Sequence, residues 1–549
     1  MKGVLRMTVS LKFFYKAAIS LIFISLFSFS IFCTKNSKNS STNQSKTILN
    51  FGNQTEPQDL DPQITTGIPE FHIYEALFEG LINLKPDDLS PIPGVATHWE
   101  MSKDRLTWTF FLRSDARWSN GDTLKAKDFV FAFKRILSPA LASEYSYMLY
   151  CLKNAERFNK GTCKDFSLVG VKAVNDTTIE LHLEKVVPYL LSLIAHHSWF
   201  PVHEKTILKH GPLDTRGTQW TRPGNFVGNG PFSLTDWQVN KIIKVTKNPF
   251  YWDSAVVRLE EINFYPIEDH QTEERMFQTN QLHITSNCPL SKINYYKSNK
   301  SELLRIDPQL GTYYYLLNVN KKPFDNSKIR KALALSVNRK EITDYVLKGG
   351  QLPTTGFVPP GTGGYNSDSL IGFDTIQAKK LLKEAGITDP SAFPEVSLLY
   401  NTSEAHHTVA QAIQQMWKKY LGITVTLVNQ EWKVYLANTQ KKEYEIARMG
   451  WIGDYNDPTT FLDMWITDGG NNRTGWSNRT YDSLINKASF TTNISERISL
   501  FKEAEKILMD ELPIIPIYYY TNVYLIQTSV KGYVPNILNL RNFKFVYLE

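Results

Sequence analysis

LLYNTSEAHHTVAQAIQQMWKKYLGITVTLVNQEWKVYL, residues 398–436, is the stretch on which the reading of the fold turns. Val409, Ile413, Met416, Trp417 and Tyr420 recur at intervals of one, three and four, so they share one face of a helix. Gly422 follows, the residue type that most easily adopts the left-handed conformation ending a helix. Directly afterwards Ile423, Val425 and Leu427 alternate with other residues, which is the period of a strand. Helix, glycine and strand in immediate succession mark an α/β protein, in which helices cover a sheet.

The same alternation continues on both sides. Leu106, Trp108, Phe110 and Leu112 read as a strand, as do Ile179, Leu181 and Leu183. DFVFAFKRIL places Phe129, Val130, Phe133, Ile136 and Leu137 on one helical face, and Pro139 closes the helix. Asp374 and Gln377 form a capping pattern before AKKLLKEAG, with Gly386 as the stop. SERISLFKEAEKILMDEL reads as a helix that leads into the aromatic and apolar run of residues 514–520. Residues 211–232 and 358–369 are rich in Gly and Pro and read as loops, long enough to be functional.

A chain of 549 residues holds three to four domains at roughly 100–200 residues each. Its 42% hydrophobic and 21% charged residues are those of an ordinary folded protein. A net charge of +7 over that length is too mild for a nucleic-acid partner. Aromatics make up 13%, enough to line a pocket that grips varied ligands by flat contact as well as to fill a core.

The N-terminus points to export. Lys2, Arg6, Lys12 and Lys16 precede the uncharged run AAISLIFISLFSFSIFCT, and the polar stretch KNSKNSSTNQSK follows. Residues 1–33 are read as the signal and 34–47 as a flexible tether. Cys33 resembles the lipidated Cys of a bacterial lipoprotein signal, although Phe32 stands where such signals prefer a small residue. An ordinary signal peptide or an uncleaved anchor is the alternative. Cys151 and Cys163 lie close enough to bridge in an exported protein, leaving Cys288 free; the alternative is three small buried apolar residues.

Catalytic motifs are missing from the sequence. There is no GxxxxGK[ST] and no GxSxG. His203–Glu204 lacks the second His of a zinc protease, and His406 and His407, being adjacent, point about 100° apart on a helix. The expectation is a protein that is not an enzyme and takes no metal or cofactor.

Three blocks carry a resemblance: PGVATHWEMSKDRLTWTFFLRSDARWSNGDTLKAKDFVFAFKRILSP, GTYYYLLNVNKKPFDNSKIRKALALSVNR, and the opening stretch with its continuation IARMGWIGDYNDPTTFL. Together they resemble the periplasmic oligopeptide-binding proteins of ABC importers, in extracytoplasmic solute-binding family 5, over nearly all of the chain after about Thr47. The resemblance implies a two-lobed α/β clamshell of three domains. The first is discontinuous (48–78, 203–286 and 522–549), the second is 79–202 and the third 287–521. It implies short peptides of roughly two to five residues as ligand, and the permease and ATPase of an ABC importer as partners. The location implied is the periplasm or the outer membrane face, with lipid attachment if Cys33 is modified. A receptor of the same fold for another solute (dipeptide, cell-wall peptide, nickel chelate, sugar) is the alternative, as is a surface adhesion or signalling lipoprotein.

Any peptide offers backbone groups, one ammonium and one carboxylate, so a broad receptor must bind those. The resemblance gives the backbone of Gly450, Trp451 and Ile452 the role of a strand pairing with the peptide, and Asp454 that of receiving its ammonium. Arg448, His406 and Lys321 are implied as alternative cations for the carboxylate, at different depths. Another cationic position of some relatives falls at Thr439, with Lys441 and Lys442 nearby. Trp432, Tyr145 and Tyr520 are implied as pocket walls. Gly67 and Ile68 are implied to approach the peptide from the other side, with Thr66 where relatives can carry an acid.

Overall fold

The computed structural model describes residues 47–549 except 355, 369 and 370. The signal, the Cys33 reading and residues 34–46 of the tether lie outside the described residues.

The helix of the opening stretch forms as its pattern predicts, but the strand begins only at Thr426, with Ile423 and Val425 buried in the connection before it. Glu404–Leu421 is a helix with Val409, Ile413, Met416 and Trp417 buried, and Gly422 ends it at φ 74°. The strand Thr426–Gln430 follows and pairs parallel with Ser397–Asn401, which precedes the helix. Helix and strand thus form one β–α–β unit, as expected when a helix must return the chain to its own sheet.

That unit forms one side of a six-stranded sheet. Its order is Leu352–Pro353, Ile514–Leu525, Leu304–Leu317, Ile446–Ile452, Ser397–Asn401 and Thr426–Gln430. The aromatic run beginning at Ile514 is buried in this sheet, and the preceding helix spans Ile494–Glu511. Asp374 caps Thr375–Glu384 by accepting the N–H groups of Ile376 and Gln377.

Two smaller sheets build the other lobe. In one, Ile48–Gly52 pairs in parallel with Glu261–Tyr265, joining residues more than two hundred positions apart. Ile242–Lys247 and Phe232–Gln238 complete it. The other sheet is antiparallel, in the order Ala96–Met101, Thr107–Leu112, Thr178–His182 and Val171–Asn175. The helix Ala126–Ile136 buries Phe129, Phe133 and Ile136. These two sheets share one apolar core, which includes Leu49, Phe110, Phe133, Ile262 and, from the C-terminus, Phe543. The six-stranded sheet has its own core around Tyr314, Leu398, Trp417 and Ile515. A third cluster (Phe277, Leu282, Ile293, Val523 and Leu525) lies where the chain crosses between them. The molecule is therefore α/β and two-lobed.

The two loops are packed rather than free. In 211–232, Trp220 is buried and stacks on Phe226, and Leu213 O accepts the Nε–H of Arg135 at 2.7 Å. Phe232 already opens a strand, so the loop ends one residue earlier than the composition indicates. In 358–369, the buried Glu505 accepts the N–H groups of Phe357 and Val358 and the hydroxyl of Tyr365. Cys151, Cys163 and Cys288 are all free thiols, so of the two readings the 151–163 bridge is not formed, and burial as small apolar residues holds for Cys151 and Cys288. Cys151 is buried, its thiol directed at Met148 O at 3.8 Å, and Cys163 is partly exposed.

Candidate functional site

A cavity of about 330 Å³ opens between the lobes. The strand Ile446–Ile452 supplies one wall. It pairs antiparallel with Leu304–Leu317 along its whole length, from Leu317↔Ile446 to Gly311↔Ile452. On its other side Ser397–Asn401 pairs only with Ile446 and Ala447. Among the described residues, 448–452 therefore present one strand edge with no strand partner, and this edge faces the cavity. An unpaired edge of this kind is a template for an added strand.

Arg448, Gly450 and Ile452 alternate to one face of that strand. Arg448 is buried. Its guanidinium donates to Tyr520 Oη at 2.6 Å and to Asn401 Oδ1 at 3.3 Å, and lies over the Tyr313 ring at 4.6 Å. Its Nε is buried without a hydrogen-bond partner. Among the described residues no carboxylate lies within ion-pair distance of it. Gly450 is what lets this arrangement form, because a Cβ there would meet Tyr520 Oη at 2.3 Å.

The strand ends where Gly453 N–H donates to Leu310 O at 2.7 Å, and Asp454 stands beyond it. Its Oδ1 accepts from Tyr145 Oη at 3.3 Å and lies 3.4 Å from His196 Nε2, while Thr460 Oγ1 reaches Oδ2 at 3.5 Å. His196 Nδ1 accepts the Ser198 N–H, which leaves Nε2 as the donor toward Asp454. All three contacts are long, and no Lys or Arg among the described residues pairs with Asp454. A carboxylate can accept about four bonds, so Asp454 retains capacity for a further donor. The turn behind it is held firmly. Arg497 grips Asp457 with both terminal nitrogens, Asn456 Oδ1 accepts the Gly363 N–H at 2.9 Å, and Trp451 Nε1 donates to Thr460 O at 2.7 Å.

The facing wall comes from the other lobe. Thr66, Gly67 and Ile68 line the cavity at the start of the helix Ile68–Leu77. Gly67 is extended, and a Cβ there would lie 2.1 Å from Glu70 Oε2. Tyr145 lines the same side, and Trp432 and Tyr520 line the opposite one. Trp432 stacks on Tyr435 at 5.9 Å, and its Nε1 is buried without a partner.

Two of the expected cations behave differently. Lys321 does not line the cavity. It pairs with Glu445 Oε1 at 2.9 Å, and its side chain is 41% exposed, in the turn that follows the strand Leu304–Leu317. His406 does line the cavity, in the first turn of its helix, with its Nδ1 buried and without a hydrogen-bond partner. Burial pushes its imidazole well below the usual range, and neighbouring Arg448 adds to the effect. Thr439 is buried and accepts from Arg473 Nη1 at 3.0 Å, so a cation reaches that place from another part of the chain. Arg473, His196 and Asn401 had no motif to mark them in the sequence.

The lobes touch around the cavity. Tyr189 stacks on Tyr455 at 5.2 Å, Arg497 lies over the Tyr189 ring at 5.0 Å, and Glu144 pairs with Arg473. Closure over the cavity places Arg448 and Asp454 out of bulk water, where electrostatic interactions are strong.

Comparison with known proteins agrees with this architecture. Residues 90–473 match bacterial extracellular solute-binding proteins, family 5 middle part. The oligopeptide-binding protein OppA of Bacillus subtilis is 38% identical over 511 residues, 90% of this chain and 92% of that protein. The murein tripeptide binding protein MppA of Escherichia coli superposes with a TM-score of 0.88 at 34% identity, covering 92% of this chain and 99% of that one. The unliganded open form of MppA gives only 0.64 over a similar span, in keeping with lobes that here are closed. Haemophilus influenzae OppA in complex with RPPGFSPFR gives 0.87 at 35% identity, covering 92% and 99%.

Proposed function

The chain belongs to the bacterial extracellular solute-binding proteins of family 5, and from that premise we propose how it captures peptides for an ABC importer. It is a receptor that takes up short peptides between two lobes and delivers them to a membrane permease. The observation that carries the reading is charge. Arg448 and Asp454, of opposite sign, both line the cavity, and neither has a strong ionic partner among the described residues. The other lining guanidinium, Arg473, is already neutralised by Glu144. A zwitterion with an ammonium at one end and a carboxylate at the other satisfies both.

In this reading the peptide adds as a strand along the open edge of 448–452. Its ammonium meets Asp454, and its carboxylate meets Arg448. At about 3.3 Å per residue, Arg448 and Ile452 are roughly 13 Å apart along the strand. An extended peptide of three to five residues spans about 10–18 Å. Tyr145, Trp432, Tyr520, Gly67 and Ile68 enclose its side chains. The three-domain division with boundaries near 79, 203, 287 and 522 belongs to the same proposal, as does lipid attachment at Cys33 on the outer face of the membrane. The family is one of solute receptors, and no catalytic step is proposed.

Calorimetry with tri- to pentapeptides tests this, together with mass spectrometry of any ligand carried through purification from the producing cells. Binding of free zwitterionic peptides, weakened in Asp454→Ala, is the expected result. No binding by the wild type, or equal binding by Asp454→Ala, refutes it.

A further inference from the structure

Glu144 belongs to the first lobe and Arg473 to the second. Their side chains, 19% and 9% exposed, pair at 3.1 Å between Oε2 and Nη2. The pair is braced on the second lobe: Arg473 Nη1 donates to the buried Thr439 hydroxyl, and Gln440 Nε2 donates to the other Glu144 oxygen. The backbone of the second lobe also passes close by. A Cβ on Gly470 would lie 3.4 Å from Glu144 O, and Asn471 Nδ2 lies 3.4 Å from Tyr147 Oη. Between these two fixed points, Glu144 and Tyr147, sits Tyr145, whose hydroxyl reaches Asp454 at 3.3 Å.

We infer that Arg473 is a positioning residue for ammonium recognition: by gripping Glu144 it sets the Tyr145 hydroxyl on Asp454 as the lobes close. The ammonium site is then complete only in the closed form. This rests on the role given above to Asp454. The physical grounds are those of buried ion pairs. Such a pair stabilises closure only when further hydrogen bonds satisfy the remaining donors and acceptors, and Thr439 and Gln440 supply them here. Neutralising one partner leaves a lone charge in the closed cleft, which disfavours closure and hence binding.

The test titrates tri-alanine and N-acetyl-tri-alanine by calorimetry into the wild type, Arg473→Gln, Glu144→Gln and the double variant. Tyr145→Phe is measured alone and with Arg473→Gln. Arg473→Gln and Glu144→Gln are each expected to bind tri-alanine about tenfold or more weaker, in line with truncating one member of a desolvated pair. The acetylated peptide has no ammonium, so it bears the cost of the lone charge on closure but not the loss of the Tyr145–Asp454 contact, and it is weakened by a smaller factor than tri-alanine. The double variant recovers part of the loss because no lone charge remains. Tyr145→Phe costs less in the Arg473→Gln background than in the wild type. If Arg473→Gln lowers ligand-free stability, Glu144→Gln, on the more exposed partner, carries the same test. Unchanged tri-alanine binding in both single variants, or strict additivity of Arg473→Gln with Tyr145→Phe, overturns the inference. Failure of the wild type to bind any peptide overturns instead the reading of the protein as a peptide receptor.

Discussion

Replacing Arg448 by methionine separates the role of this residue in the ligand from its role in the fold. Methionine keeps the length and the apolar stem and removes the charge. In the ligand-bound protein, the peptide carboxylate then lies buried with no cation. Truncating one member of a buried, hydrogen-bonded charge pair costs about 2–5 kcal/mol. At about 1.4 kcal/mol per tenfold, this is a loss of roughly 30-fold to several thousand-fold in affinity. In the ligand-free protein the terms oppose each other. The variant loses the bonds to Tyr520 and Asn401 and the contact with the Tyr313 ring, the last worth about 1–2 kcal/mol when desolvated. It also no longer buries a cation without an anion, a penalty of several kcal/mol. Ligand-free stability therefore moves little. A tripeptide at a hundred times its Kd stabilises the wild type by about 2.7 kcal/mol, and after a hundredfold weakening the same concentration supplies only about 0.4 kcal/mol. Thermal melts with and without tripeptide read both quantities, and calorimetry with a C-terminally amidated peptide completes the cycle. The wild type prefers the free acid strongly, and Arg448→Met does not. Equal preference in both proteins, or a ligand-induced shift of melting temperature that survives in Arg448→Met, refutes the assignment of the carboxylate to Arg448.

Asp454→Asn is isosteric and removes only the charge; free peptides are expected to bind about 1.5–3 kcal/mol more weakly while N-acetylated peptides are unaffected, by calorimetry. Lys321→Ala leaves peptide affinity unchanged in the same titration, because that side chain pairs with Glu445 outside the cavity. Three carboxyl groups, the buried Glu70 and Glu273 and the half-buried Glu75, have pKa values raised chiefly by removal from water: Glu75 to about 8, and Glu70 and Glu273 to about 7. The folded protein holds their protons at pH values where the unfolded chain has released them, so stability is greatest below about pH 4.5 for these groups and falls as pH rises through 7 to 8. Urea unfolding of the wild type and Glu75→Gln from pH 5 to 8.5 isolates the Glu75 contribution from that of the buried histidines, whose lowered pKa values act in the opposite sense; the wild type's stability relative to Glu75→Gln should fall as pH rises, and a difference that stays constant with pH refutes the role of that group.

The elements that hold the site were largely legible because they are set by neighbours in the chain. The stripe from Val409 to Trp417 is buried, Gly422 takes the left-handed conformation, and Asp374 caps its helix, each as local spacing requires. The strand Ile446–Ile452 and the turn bearing Asp454 were marked by the GWIGDYNDP block. Charge states and neighbours were less legible. His406 has the right residue type and lines the cavity, yet burial and the neighbouring Arg448 disfavour its charged form. Lys321 carries the charge but faces solvent. The expected 151–163 bridge rested on sequence separation alone, which does not bring two sulfurs together.

By itself the amino-acid sequence determined the α/β alternation, the positions of helix ends, and the blocks that identify the family. All of these depend on interactions within a few residues, or on residue identity. Only the tertiary structure decided that, among the described residues, the edge of 448–452 lacks a strand partner and Arg448 and Asp454 face one cavity without strong ionic partners, and that Glu144 meets Arg473 across 329 positions. Those facts depend on where two lobes meet, and the strength of each charge there depends on how much water closure removes.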